Sequence, residues 1–191
     1  MTRIIAGVHG GRRLAAPAGA HTRPTSDRVR EAFFSSLETM TDLSGARFMD
    51  LYAGSGAVGL EAVSRGASHA LLVESEARAA RVIRDNIVAL RVGAAARLVT
   101  GKVGQVVSAR PEGEPYDVVF ADPPYALTDE ELTGVQRALV DNGWLARDAV
   151  VVIERATRTA VRGAPLTWVD GITADRSRRY GETTLWYGRR S

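Results

Sequence analysis

Apolar and polar residues change their spacing along the chain, and each change marks an element. Arg3 to Ala6 alternates weakly and leans apolar, Gly7 to Gly11 holds three glycines, and Arg12-Arg13-Leu14 follows; this predicts a β-hairpin with a glycine-rich turn. Val29, Phe33 and Leu37 recur at i, i+4 and i+8, which predicts a helix with one apolar face. Thr25 or Ser26 is its candidate N-cap, with Asp27 in the first turn. Residues 41–46 are a polar linker. Strand and helix patterns then alternate. Strands are expected at Arg47–Leu51, His69–Val73, Ala96–Thr100, Val118–Ala121 and Ala149–Ile153. Helices are expected at Val58–Arg65, Ala77–Leu90, Val103–Ala109 and Asp129–Val140. Two last strands, Leu166–Asp175 and Glu182–Tyr187, flank a basic turn from Arg176 to Gly181. The alternation predicts an α/β fold: a mostly parallel seven-stranded sheet, helices on both faces, and an antiparallel C-terminal edge. Residues 1–40 read as a small hairpin-plus-helix extension and residues 41–191 as the main domain.

The strand at Val118–Ala121 stops in Asp122-Pro123-Pro124-Tyr125. Neither proline can donate a ladder hydrogen bond, and each pushes the residue before it into extended geometry. The outcome is a stiff loop at the carboxyl end of a strand, where ligands sit in open α/β sheets. It offers the Asp122 carboxylate, backbone carbonyls and the Tyr125 ring. A nucleobase amino group has two N–H donors and an adjoining π face, so Asp122 and the Pro123 carbonyl suit the donors and Tyr125 suits the ring. The same residues would also make a plain turn with a capping Asp and a surface Tyr.

Gly54, Gly56 and Gly59 satisfy G-x-G-x-x-G between a strand and a helix, and Glu74 closes the next strand. The glycines permit a tight turn and close backbone approach to a ligand, and Glu74 can accept from both hydroxyls of a ribose. That is the dinucleotide fingerprint, so a nicotinamide-dependent dehydrogenase has to be weighed. Asp50, just before the loop, opposes a pyrophosphate and suits an ammonium or sulfonium charge. No Arg or Lys lies in residues 50–60 to assist phosphate. A ligand with an adenosyl and an amino-acid part, S-adenosylmethionine, suits the set better.

Composition narrows the classes. With 191 residues, 45% apolar and 25% charged, the chain can bury one substantial core. It has no membrane-length apolar run, and the first residues form no signal-peptide hydrophobic region. It has no cysteine, and His9, His21 and His69 lack ligand spacing, so no metal site is expected. A cytoplasmic location is expected. Net charge is +3, yet residues 1–30 carry Arg3, Arg12, Arg13, Arg23, Arg28 and Arg30 against Asp27 alone. A basic arm on a near-neutral body is the footprint of a polyanion-binding element. Arg28 and Arg30 could instead pair with Asp27 and Glu31. Lys102 is the sole lysine, so part of the signal is a general use of arginine.

Asp50-Leu51-Tyr52-Ala53-Gly54-Ser55-Gly56 resembles the first motif of class I methyltransferases, and Asp122-Pro123-Pro124-Tyr125 resembles their amino-methylating motif. The runs Arg3-Ile4-Ile5-Ala6-Gly7, Gly11-Arg12-Arg13-Leu14 and Thr22 to Glu31 resemble the RsmD family of small-subunit ribosomal RNA guanine-N2 methyltransferases, as do Leu60 to Gly66 and Asp141 to Leu145. The resemblance implies a Rossmann-like fold and S-adenosylmethionine held by Asp50, Tyr52, Ala53, Gly54, Ser55, Gly56, Glu74 and Ser75. Gly101-Lys102 replaces an adenine-contacting Asp common in such enzymes, so backbone groups of Lys102 and Val103 are expected there. It implies methyl transfer to a guanine N2 of the guanine(966) class in 16S rRNA. Asp122, Pro123, Pro124 and Tyr125 would form the catalytic loop, and Arg3, Arg12, Arg13, Arg23, Thr25, Arg28 and Arg30 the RNA contacts. A monomer acting on the small subunit or its assembly intermediate is expected. The rivals are a DNA adenine-N6 methyltransferase, which shares the Asp122 motif, and a non-catalytic assembly factor working through its basic arm.

Overall fold

The computed structural model describes residues 2–17, 27–157 and 166–191. The N-terminal strands β1 (Thr2–Arg3) and β2 (Arg13–Leu14) pair antiparallel, and α1 spans Asp27–Glu38. The alternating part comprises β3 (Arg47–Leu51), α2 (Ala57–Ser64), β4 (His69–Glu74), α3 (Ala77–Leu90), β5 (Ala96–Thr100), α4 (Val103–Val107), β6 (Tyr116–Ala121), α5 (Asp129–Asp141) and β7 (Leu145–Ala156). Then β8 (Ile172–Tyr180) and β9 (Thr183–Arg190) form a C-terminal hairpin. The seven-stranded sheet runs β5-β4-β3-β6-β7-β9-β8. Pairing is parallel from β5 through β7, and β9 is antiparallel to β7 and β8. Order reverses between β3 and β6, which opens a crevice at their carboxyl ends.

Strand alternation divides the core into two layers. Phe48, Leu72, Val118, Phe120, Val152, Leu185 and Tyr187 face α1, α2 and α3. Met49, Leu51, Val73, Val119, Ala121 and Ile153 face α4 and α5. Phe33, Phe34 and Leu37 of α1 are 1%, 0% and 0% exposed, each contributing about 1.5–3 kcal/mol of burial. Phe33 packs against Phe34 and Phe120 with ring centres 4.8 Å apart in each pair.

The N-terminal extension shares this core, since Ile4 and Leu14 belong to the α1-side layer. Its loop is bolted to α2. The Glu61 carboxylate accepts from the Ile5 and Ala6 N–H groups at 2.8 and 2.9 Å, and the Ser64 carbonyl accepts from Val8 at 2.9 Å. Gly7, at φ +80°, lies where an added Cβ would stand 1.9 Å from the Ser64 oxygen. Only glycine fits that contact.

The basic stretch read as a turn is strand: Arg176 to Tyr180 pair with Thr183 to Tyr187, and the reversal is Gly181-Glu182, with Gly181 at φ +63°. β8 is an edge strand with one solvated flank, so charge there does not oppose pairing. The start of the expected Leu166–Asp175 strand is irregular up to Gly171. The expected cap at Thr25 or Ser26 lies outside the described residues.

Candidate active site

The turn from β3 to α2 is shaped by unusual backbone. Tyr52, Gly54 and Gly56 have φ of 62°, 58° and 78°. Gly56 turns toward the core, where a Cβ would lie 2.9 Å from Leu72. Asp50, 2% exposed, reaches under the turn and accepts from the Gly59 N–H at 2.8 Å. Burial pushes its carboxyl up to about 7 against that hydrogen bond, with Glu74 adding a like charge.

Glu74 ends β4 and accepts from the Gly54 and Glu76 N–H groups at 2.8 Å each. Each carboxylate oxygen retains a further lone pair for hydroxyl donors. Asn86 on α3, 2% exposed, is a residue that sequence reasoning missed. Its side chain accepts from Ala15 N–H and donates to the Ala15 and Ser55 carbonyls at 3.1 and 3.0 Å. It thereby clasps the N-terminal extension to the glycine turn. A lone Asn within a helical pattern gave no signal of this.

Asp122 follows β6 at the same rim. Burial pushes its carboxyl up to about 8, and Glu154 and Asp50 add like charge. Glu154, at the end of β7 and 8% exposed, was also missed. Its signal was present: Val150-Val151-Val152-Ile153-Glu154 repeats the apolar-run-then-acid pattern that marked Glu74.

Asp50, Glu74 and Asp122 line one cavity of about 310 Å³, together with Tyr52, Ala53, Gly54, Ser55, Ser75 and Pro124. Gly56 and Pro123 lie outside its lining, as do Val103, buried at the start of α4, and Lys102 before it. The Lys102 turn nevertheless closes beside β4, where Gly101 N–H donates to the Glu74 carbonyl at 2.9 Å. Tyr125 is 66% exposed on the loop that leaves the rim. Burial and the Glu131 charge hold the Tyr52 hydroxyl up to about 12.

The predicted RNA contacts separate. Arg3, Arg12, Arg13 and Arg28 are exposed. Arg12 donates to the Ala89 carbonyl at 2.6 Å, and Arg3 lies 3.8 Å from Asp27. Arg23 and Thr25 lie outside the described residues. Arg30 is a correction. It is 1% exposed, bonds Thr2, Asp27 and the Arg3 carbonyl, and sits 3.6 Å from the fully buried Glu61. Two buried charges require each other, so Arg30 is a structural cation on the cavity wall rather than a phosphate contact.

The residues fit a cationic adenosyl ligand. In a dinucleotide fold the α2 N-terminus would bind phosphate; here the Asp50 carboxylate already occupies its Gly59 N–H. Three acidic side chains at one cavity favour positive charge and disfavour pyrophosphate. Asp50 and the glycine turn could hold the methionyl part and Glu74 the ribose. Among the described residues no group of three His, Asp or Glu side chains is arranged to hold a metal, and no helix is long and apolar enough to cross a membrane.

The family described as Conserved hypothetical protein 95 matches residues 2–189. Ribosomal RNA small subunit methyltransferase D of Escherichia coli is 36% identical over 168 residues, covering 87% of this chain and 80% of that protein. The Haemophilus influenzae protein of the same name is 32% identical, covering 80% and 77%. The solved Escherichia coli yhhF structure superposes with a TM-score of 0.84 at 33% identity, covering 99% of this chain and 97% of that one. With the strand order, the acidic rim and these relatives in agreement, the chain belongs to the Conserved hypothetical protein 95 family, the RsmD family of methyltransferases.

Proposed function

We propose that the chain transfers a methyl group from S-adenosylmethionine to the exocyclic N2 amine of a guanine of the guanine(966) class in 16S rRNA. It does so on the small ribosomal subunit or its assembly intermediate, as a cytoplasmic monomer. The observation that carries this reading is the placement of Asp122, on a proline-stiffened strand end, at the same cavity as Asp50, the glycine turn and Glu74. The names of the relatives support ribosomal RNA as the substrate class.

Bound S-adenosylmethionine supplies a methyl group on a sulfonium. The chain's own groups prepare the acceptor. A guanine amine is a weak nucleophile because its lone pair is delocalised into the ring. The Asp122 carboxylate and the Pro123 carbonyl accept its two N–H bonds, tilt them from the ring plane and free that pair. Orientation of this kind contributes up to about 7–11 kcal/mol when geometry is ideal. Asp122 in its ionised form, which gains population as pH approaches about 8, then takes the proton that the methylated nitrogen releases. The exposed Tyr125 ring stacks on the base, worth about 1–3 kcal/mol, after the base leaves its stack. Residues 1–40 contribute backbone contacts through Arg3, Arg12, Arg13 and Arg28, with Arg23 and Thr25 beside them in sequence.

Calorimetric titration with S-adenosylhomocysteine and with NAD tests the cofactor. Radiolabel transfer to small subunits lacking the mark tests the substrate. Binding of the homocysteine compound alone, with label in 16S rRNA, is expected. NAD binding, or homocysteine-compound binding without transfer to RNA, would overturn the reading.

A further inference from the structure

The edge strand β8 ends at the same rim as the cavity. Arg178 pairs with Leu185 on β9, and Leu185 pairs with Glu154 on β7. Glu154 and Asp122 each lie one residue beyond the paired Ile153 and Ala121. Arg178, Leu185, Glu154 and Asp122 therefore share a row and a face of the sheet. Three strand spacings separate Arg178 from Asp122, about 14 Å, a gap that a few nucleotides of extended RNA bridge.

Charge along β8 is unevenly neutralised. Asp175 takes Arg176 at 2.7 Å and Arg189 at 3.6 Å. Arg178 and Arg179, nearer the rim, are both exposed. Arg179 donates through Nε to the Gly181 carbonyl at 3.0 Å, which steadies its arm over the turn. Tyr180 shares the face of Arg178 and packs against the α1-side core, while Arg179 projects from the other face of the same edge strand. Arginines on an edge strand also discourage pairing with a second sheet. That duty needs charge anywhere along the strand, whereas here two exposed arginines lie at the rim end beyond the reach of Asp175, which is taken by Arg176 and Arg189. Glu182 lies in the turn beside them and Glu154 in the row of Arg178.

We infer that Arg178 and Arg179 form a phosphate-contact strip for single-stranded RNA on one flank of the base that Asp122 receives. A base drawn out of its stack needs its neighbouring backbone held, and the guanidinium fork matches phosphate oxygens. The inference rests on the proposed function, because it requires RNA at Asp122.

The test compares the parent, R178A/R179A, and the control R137A/R147A, which removes equal charge from exposed positions on α5 and β7. Affinity for a short fluorescein-labelled single-stranded RNA is measured across salt concentrations. Each single-strand phosphate contact contributes about 0.7 to the slope of log K against log salt, so R178A/R179A flattens it by about 1.4 and the control leaves it unchanged. On small subunits KM rises about fivefold or more with kcat retained, and S-adenosylhomocysteine affinity stays equal in all three proteins. A slope equal to the parent's overturns the strip. A loss seen on intact subunits but absent with the RNA probe assigns these arginines to an acidic protein and also overturns it. Absence of methyl transfer by the parent overturns both readings, whereas an active parent matched by R178A/R179A sinks this one alone.

Discussion

Asp122→Asn separates chemistry from folding because it acts on them in opposite directions. The amide keeps the shape, so S-adenosylhomocysteine affinity should change less than about tenfold, because that ligand's thioether is uncharged and a carboxyl raised to about 8 is largely neutral at pH 7. It keeps one acceptor oxygen but turns an NH2 toward the substrate amine and cannot take the proton. Loss of general-base function costs about 10²–10⁴ in kcat. Stability moves the other way. The Asp122 carboxyl is raised from 3.8 to about 8, mainly by burial, so the folded state holds a proton that the unfolded state has released. Stability is therefore lost as pH rises from about 4 to about 8. A shift of that size corresponds to at most about 6 kcal/mol. Water at the open rim reduces this to about 2 kcal/mol, or about 4–8 °C in Tm for a chain of this length. Single-turnover methyl transfer and thermal melts at pH 5, 7 and 9 read the two effects. The Asn variant should be nearly inactive, with a Tm nearest the parent's at pH 5 and an advantage that grows through pH 7 to pH 9. A variant with near-parent rate, or one whose Tm advantage shrinks as pH rises, would refute the reasoning.

Three further outcomes follow from the same contacts. Asn86→Ala strands the Ala15 N–H and Ser55 carbonyl; it should cost about 1–3 kcal/mol in melts and weaken S-adenosylhomocysteine binding in calorimetry, since the glycine turn loses its clasp. Gly7→Ala places a Cβ against the Ser64 oxygen, whereas Gly11→Ala at φ +81° meets nothing within 4 Å; denaturant unfolding should give about 3 kcal/mol or more for the first and about 1–2 for the second. Glu154→Gln removes a like charge beside Asp122, so the rising limb of kcat/KM against pH should move to lower pH while S-adenosylhomocysteine affinity holds; an unmoved limb would separate the two carboxyls.

Much of the fold and the rim is legible in the sequence. β3, α3 and β5 have the boundaries that periodicity predicts, because each is a plain run bounded by breakers. Asp50, the glycine turn, Glu74 and Asp122 were legible because each sits where an apolar run ends. Arg30 was not: arginine at a helix start suits a phosphate or a buried acid equally, and its partner Glu61 lies 31 residues away on α2. The β8 arginines were misread because charge beside glycine resembles a turn, while their pairing is decided by the apolar alternation of β9 across the hairpin. Glu154 and Asn86 escaped notice because their importance comes from neighbours on other elements.

The acidic rim is claimed to hold a sulfonium donor beside an unstacked guanine. Small subunits lacking the mark, incubated with the protein and deuteromethyl-labelled S-adenosylmethionine, are digested to nucleosides for mass spectrometry. N2-methylguanosine carrying the label is the predicted product; label in N6-methyladenosine, or in no nucleoside while S-adenosylhomocysteine still binds, would contradict the account.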